Sequence, residues 1–133
     1  MFQSIHKRLS SVCFVGVFCV LSLPIGCSPR TAPMSDAGKA KELLQTMLED
    51  WKSGGNLEET KKRTPPVYVT EDLWRGGAKL DSYKVSDVSE VLGSNIRIKV
   101  NLKCTNKSGK AIDHSFRYII TTEPALTVVR EEG

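Results

Sequence analysis

The chain has 133 residues, of which 40 % are hydrophobic and 26 % charged, with 19 basic and 15 acidic residues and a formal net charge of +4. That length holds one domain with one modest core. So small a charge excess is not in itself the signature of a nucleic-acid binder, which wants a concentrated basic footprint as well as net charge.

The first element is a charged start at His6, Lys7 and Arg8, followed by an apolar stretch from about Val12 to Leu23 and the exit Leu23-Pro24-Ile25-Gly26-Cys27. As a helix that stretch is roughly 18 Å long at ~1.5 Å per residue, short of a hydrocarbon core of ~30 Å. The arrangement resembles a bacterial lipoprotein signal, over residues 1–27 and with Gly26 as the small residue before the cysteine. Pro24 stands where that pattern prefers Leu. The resemblance implies a signal peptide over 1–26 and acyl chains on Cys27, a thioether diacylglycerol and an N-linked palmitate-type chain. It further implies a protein anchored in the cell envelope and facing the periplasm or the exterior. Ser28, rather than Asp, implies sorting to the outer membrane where the cell has one. One chain binds membranes only marginally, and two or three give lasting attachment. Ordinary signal-peptidase cleavage nearby and an uncleaved anchor are the alternatives.

Removing residues 1–26 takes away Lys7 and Arg8, leaving 19 − 2 = 17 basic against 15 acidic residues, or +2. Cys13 and Cys19 leave as well and Cys27 is spent on lipid. Cys104 then stands alone, without a disulfide partner, although export would permit one. Residues 27–35, with Pro29 and Pro33, read as the acylated cysteine and a short tether. Residues 36–133 read as one domain.

Ala40, Leu44, Met47, Leu48 and Trp51, with Leu43, recur on one helix face. Ser35 or Asp36 caps the start and Gly54-Gly55 ends it. Asn56 to Arg63 suits a short second helix capped by Asn56, stopped at Pro65-Pro66. Val67-Tyr68-Val69 is a brief extended piece, and Thr70 to Arg75 is a single capped turn closed by Gly76-Gly77.

After Leu80 the period becomes two. Tyr83, Val85 and Val88 share a strand whose alternation slips near Asp87, as at a bulge. Gly93-Ser94-Asn95 turns the chain. Ile96, Ile98, Val100, Leu102 and Cys104 then alternate with Arg97, Lys99, Asn101 and Lys103. A hairpin turn at Asn106–Lys110 leads to Phe116, Tyr118 and Ile120 on alternate positions. Glu123-Pro124 breaks that run before Leu126, Val128 and Val129.

The expected fold is α+β: one long N-terminal helix lying across a four-stranded antiparallel meander. This element order, with Trp51 and then Gly54 at the helix end, resembles the cystatin-like architecture and its nuclear-transport-factor-2-like relatives over roughly residues 36–131. The resemblance implies a cone-shaped space between helix and sheet. In some enzymes of that shape the space holds an acidic base and a tyrosine.

No catalytic motif stands out. His114 is the one histidine after residue 26, which excludes a two-histidine metal site. Asp113, His114 and Ser115 are neighbours on a strand and point to alternate faces, so they form no triad. Cys104 ends an apolar stripe and reads as a buried structural thiol. Trp51 reads as core, and Trp74 as the plug of its short turn. Glu49-Asp50 and Glu71-Asp72 read as solvated helix-surface charge. The surface singled out is the sheet's outer face, where Arg97, Lys99 and Lys103 are joined by Arg117 of the next strand, beside Lys107 and Lys110. It suits contact with an anionic surface, either lipid headgroups or an acidic envelope polymer.

The reading is a membrane-anchored envelope lipoprotein acting as a non-catalytic binding or structural module. Its partner would be an envelope protein or acidic polymer, with no nucleic acid, metal or cofactor. The alternatives are a lipid-anchored small-ligand binder with a cone-shaped pocket and a small enzyme with an acidic base.

Overall fold

Burial of one apolar stripe makes residues 37–52 a helix: Ala40, Leu44, Met47, Leu48 and Trp51 of α1 (Ala37–Lys52) are all at most 3 % exposed. The computed structural model describes residue 26 and residues 31–133. The signal segment (apart from Gly26), Cys27 and the first part of the tether therefore lie outside the described residues, and Thr31–Gly133 forms a unit of its own.

The Asp36 carboxylate accepts the Lys39 N–H at 2.8 Å and caps α1, a contact worth ~1 kcal/mol in such positions. Ser53 ends the helix, and Gly54, at φ +86°, turns the chain away in a conformation that L side chains resist. A 3-10 helix follows at Leu57–Lys62, capped by Asn56. Next come β1 (Val67–Thr70) and the single turn α2 (Asp72–Arg75).

The remaining strands are β2 (Lys79–Leu92), β3 (Asn95–Thr105), β4 (Ala111–Thr121) and β5 (Leu126–Arg130). The sheet order is β1-β5-β4-β3-β2. Strands β2 to β5 pair antiparallel in succession, while β1 pairs parallel to β5, with Val67 opposite Leu126 and Thr70 opposite Val129. The fold is thus α+β, but the expected four-stranded antiparallel meander is corrected to a five-stranded mixed sheet. The expected single long helix is corrected to a helix of 16 residues accompanied by a 3-10 helix and the short α2. The reason is in β1, whose four residues carry too little pattern to reveal that β5 offers them an edge. Antiparallel neighbours can be joined by tight turns, but a parallel partner requires a crossover, here the rest of the sheet.

α1 lies against β2 and β3. On the inner face Ile96, Ile98, Val100, Leu102 and Cys104 of β3, Tyr118 and Ile120 of β4, and Val128 of β5 are at most 2 % exposed. The slip near Asp87 is a bulge: Val85 faces Val100, and the next registered pair is Ser89 with Ile98. Four residue steps on β2 therefore span two on β3. The extra residues carry Val88 out to 73 % exposure. On the other side of β4, β5 reaches only Tyr118–Thr121, so the first half of β4 has a strand partner in β3 alone among the described residues.

Leu44 and Val100 are both fully buried, one on each side of the helix–sheet contact. Leu44→Ala should cost ~2–5 kcal/mol, whereas Lys39→Ala, whose side chain lies in solvent, should cost under ~0.5 kcal/mol. Urea denaturation compares them directly, and equal small effects would mean that α1 does not pack on the sheet.

Candidate functional site

Period-two alternation places Arg97, Lys99, Lys103 and Arg117 on the outer face of the sheet, and the register sets Lys99 directly opposite Arg117. The structure adds carboxylates that alternation alone did not bring to mind. Arg97 reaches Glu131 at 2.6 Å and Glu90 at 3.3 Å. Lys103 lies 3.9 Å from Asp113, its cross-strand partner. The Nε of Arg117 is 2.9 Å from Oε2 of Glu131, an electrostatic contact without hydrogen-bond alignment. Among the described residues Lys99 is the one member of the four without an ion pair within 4 Å. The face is therefore a mixed lattice of charge, and Glu131, one residue past β5, is its centre.

A cleft of about 940 Å³ runs from this face to the open part of the β4 edge. Its walls include Lys99, His114, Phe116, Arg117 and Arg130. The imidazole of His114 meets Phe116 edge-on, with ring centroids 4.8 Å apart, and the Arg130 guanidinium lies 4.7 Å from the centre of the same ring. His114 is exposed.

The inner face holds the group that the sequence misplaced. Glu71 is only 2 % exposed, which corrects its reading as solvated charge on a helix surface. It is the N-cap of α2, and its carboxylate Oε1 accepts the Leu73 N–H at 2.9 Å. The Tyr118 hydroxyl donates to Oε2, and Arg130 forms an ion pair with Oε1 at 2.9 Å. Burial pushes the Glu71 carboxyl above the usual value, against the opposing pull of Tyr118, the Leu73 N–H and Arg130. Burial likewise raises the Tyr118 hydroxyl, and Glu71 raises it further. The only hint in the sequence was the spacing Glu71-Asp72-Leu73, which fits a capping carboxylate as well as an exposed one.

An inward carboxylate bonded to a tyrosine would be a general-base arrangement if substrate had room beside it. Here Leu44, Met47, Leu48, Trp51, Val69, Trp74 and Val128 close around it, leaving a void of about 10 Å³. That is scarcely space for one water. The two indoles do much of the filling. Trp51 and Trp74 stack at 5.7 Å, with their rings 10° from parallel. Their N–H groups donate to the carbonyls of Ala78 at 2.8 Å and Gly55 at 2.9 Å, so neither buried donor is left unpaired. Cys104 is buried in the same layer, and burial pushes its thiol up to about 11, away from nucleophile chemistry. No cluster of three or more potential metal-ligating side chains occurs among the described residues.

Comparison with family models, with curated proteins and with solved structures finds no match for the chain.

Glu71 makes a pH prediction with a definite sign. A carboxyl whose folded value lies above its unfolded one holds a proton more readily in the folded state. Its contribution to stability is therefore full below the ordinary value of 4.5 and is lost as pH rises through the raised folded value. Measured by urea denaturation across this range, wild type should gain on Glu71→Gln as the solution is made more acidic. A difference that stays constant with pH would mean that Glu71 titrates normally.

Proposed function

We propose that the chain is a membrane-anchored lipoprotein of the cell envelope, acylated on Cys27, whose domain is a non-catalytic binding or structural module. The observation that carries the second half of this reading is the filled interior. A carboxylate and a tyrosine meet between helix and sheet, yet the void beside them is about 10 Å³. The cone-shaped pocket that a small-ligand binder or a small enzyme would need is occupied by Trp51, Trp74 and their neighbours. The finer fold assignment, cystatin-like or nuclear-transport-factor-2-like, belongs to the same reading and is supported by the helix laid across strands β2, β3 and β4. The first half of the reading rests on the charged start, the short apolar run and Gly26-Cys27.

The surface left for a partner is the outer face, with Arg97, Lys99, Lys103 and Arg117 and the cleft beside them. An envelope protein or an acidic polymer is the partner that fits, held chiefly by charge and therefore sensitive to salt, since the screening length falls from ~8 Å at physiological ionic strength to ~3 Å at 1 M. Lys99, the cation with no ion pair, should matter most. Lys99→Glu should abolish low-salt binding of acidic polymer, and unchanged binding would return the face to ordinary surface.

Anchoring is tested by metabolic labelling with a tagged fatty acid. Wild type should take up label and sediment with membranes, while Cys27→Ala should take up none and should be recovered unprocessed or released. Wild type without label would remove the lipoprotein reading.

A further inference from the structure

Five large hydrophobic side chains are exposed among the described residues, and three of them, Met34, Val91 and Leu92, gather at one end of the domain. Val91 and Leu92 are the last residues of β2, just before the two-residue turn Gly93-Ser94. Met34 is brought to the same end by the backbone. The Ser35 N–H donates to the Ser94 carbonyl at 2.9 Å. The Ser35 hydroxyl accepts the Thr122 N–H at 2.9 Å, and the Asp36 N–H donates to the Thr122 hydroxyl at 3.0 Å. Ser35 is itself buried. The chain thus enters the domain pinned to the tip of the β2–β3 hairpin.

That pinning has a metric consequence. From Cys27 to Ser35 there are 35 − 27 = 8 residue steps, which span at most ~26–29 Å when fully extended. The hairpin tip is therefore within one short tether of the anchoring cysteine, whatever path residues 27–34 take. The opposite end of the domain, the Asn106–Lys110 turn, lies a full β3 strand of 11 residues further on, about 33 Å away at ~3.3 Å per residue.

We infer that Met34, Val91 and Leu92 form a membrane-docking tip that inserts among the lipids of the bilayer to which Cys27 tethers the domain. The inference rests on the anchored reading given above. Val91 lies on the inner side of β2, opposite Ile96, and Leu92 on the outer side, opposite Asn95. A hairpin end with an apolar side chain on each face suits insertion tip-first rather than docking by one flat face. Burial of apolar side chains at the headgroup–acyl boundary adds to the affinity of the acyl chains, so the tip supplies a second attachment and orients the domain. Docked in this way, the sheet stands off the membrane with the Asn106–Lys110 turn at its far end.

The test uses the full acylated chain reconstituted into vesicles of zwitterionic phosphatidylcholine, some carrying brominated acyl chains. An environment-sensitive fluorophore is placed at Leu92→Cys or, as the far-end control, at Lys110→Cys, with labelling of buried Cys104 in the unsubstituted chain as background. The expected result is a protein that floats with the vesicles, with the probe at 92 blue-shifted and quenched by bromolipid and the probe at 110 unaffected. Flotation with both probes unquenched, or both quenched alike, would overturn the docking while leaving the anchor intact. Quenching that requires anionic lipid would transfer the contact to Arg97 and Lys99 and overturn the apolar docking. Failure to float would overturn the anchor, and the docking with it.

Discussion

Burial of the alternate-residue stripe of β3 under α1 is the constraint from which the other features follow. Ile96, Ile98, Val100 and Leu102 are at most 2 % exposed, and fully burying side chains of this size contributes ~1.5–3 kcal/mol each. A strand with one face committed so completely has no freedom in the other, because a slip of one residue would exchange the faces. Arg97, Lys99 and Lys103 point outward for that reason alone. What that face then does depends on its counter-charges, and Glu90, Asp113 and Glu131 answer three of the four cations.

The interior shows how one constellation changes meaning with the space around it. Glu71, Tyr118 and Arg130 are groups that serve proton transfer when a cavity opens beside them. Enclosed by two stacked indoles and aliphatic side chains, they instead tie the N-cap of α2 to the middle of β4 and the end of β5. Both carboxylate oxygens of Glu71 have partners, which is the condition for burying charge without a heavy penalty. Removing Arg130 would leave an uncompensated carboxylate in a dry core, a far larger loss than an exposed ion pair represents.

Local pattern made part of this structure legible. The stripe of α1, the caps at Asp36 and Asn56, the bulge near Asp87 and the alternation of β3 are set by residues a few positions apart, and the chain displays them openly. Three features depend on distant partners. The burial of Glu71 is decided by Tyr118, 47 positions later, and by Arg130. The neutralisation of the outer face depends on Glu131, in a tail that carries no periodicity of its own. The parallel pairing of β1 depends on an edge created by a strand at the other end of the domain. Val88 belongs to an intermediate case: the slip was visible, but the number of residues it inserts was not.

The β1–β5 pairing also sets the order in which the domain can assemble. Val67 meets Leu126, so a contact that closes one side of the sheet joins residues nearly half the chain length apart, as does the Glu71–Arg130 pair. Contacts of such long sequence separation carry their loop-closure cost before they return any stability, and they slow folding. A chain emerging N-terminus first, from a ribosome or through any channel, has α1, β1 and the β2–β3 hairpin available early. It has no strand to cover the free edge of β4 or to pair with β1, and no cation for Glu71, until β5 appears. The domain therefore stays open until Leu126–Arg130 have emerged, and β5 acts as the latch that closes it.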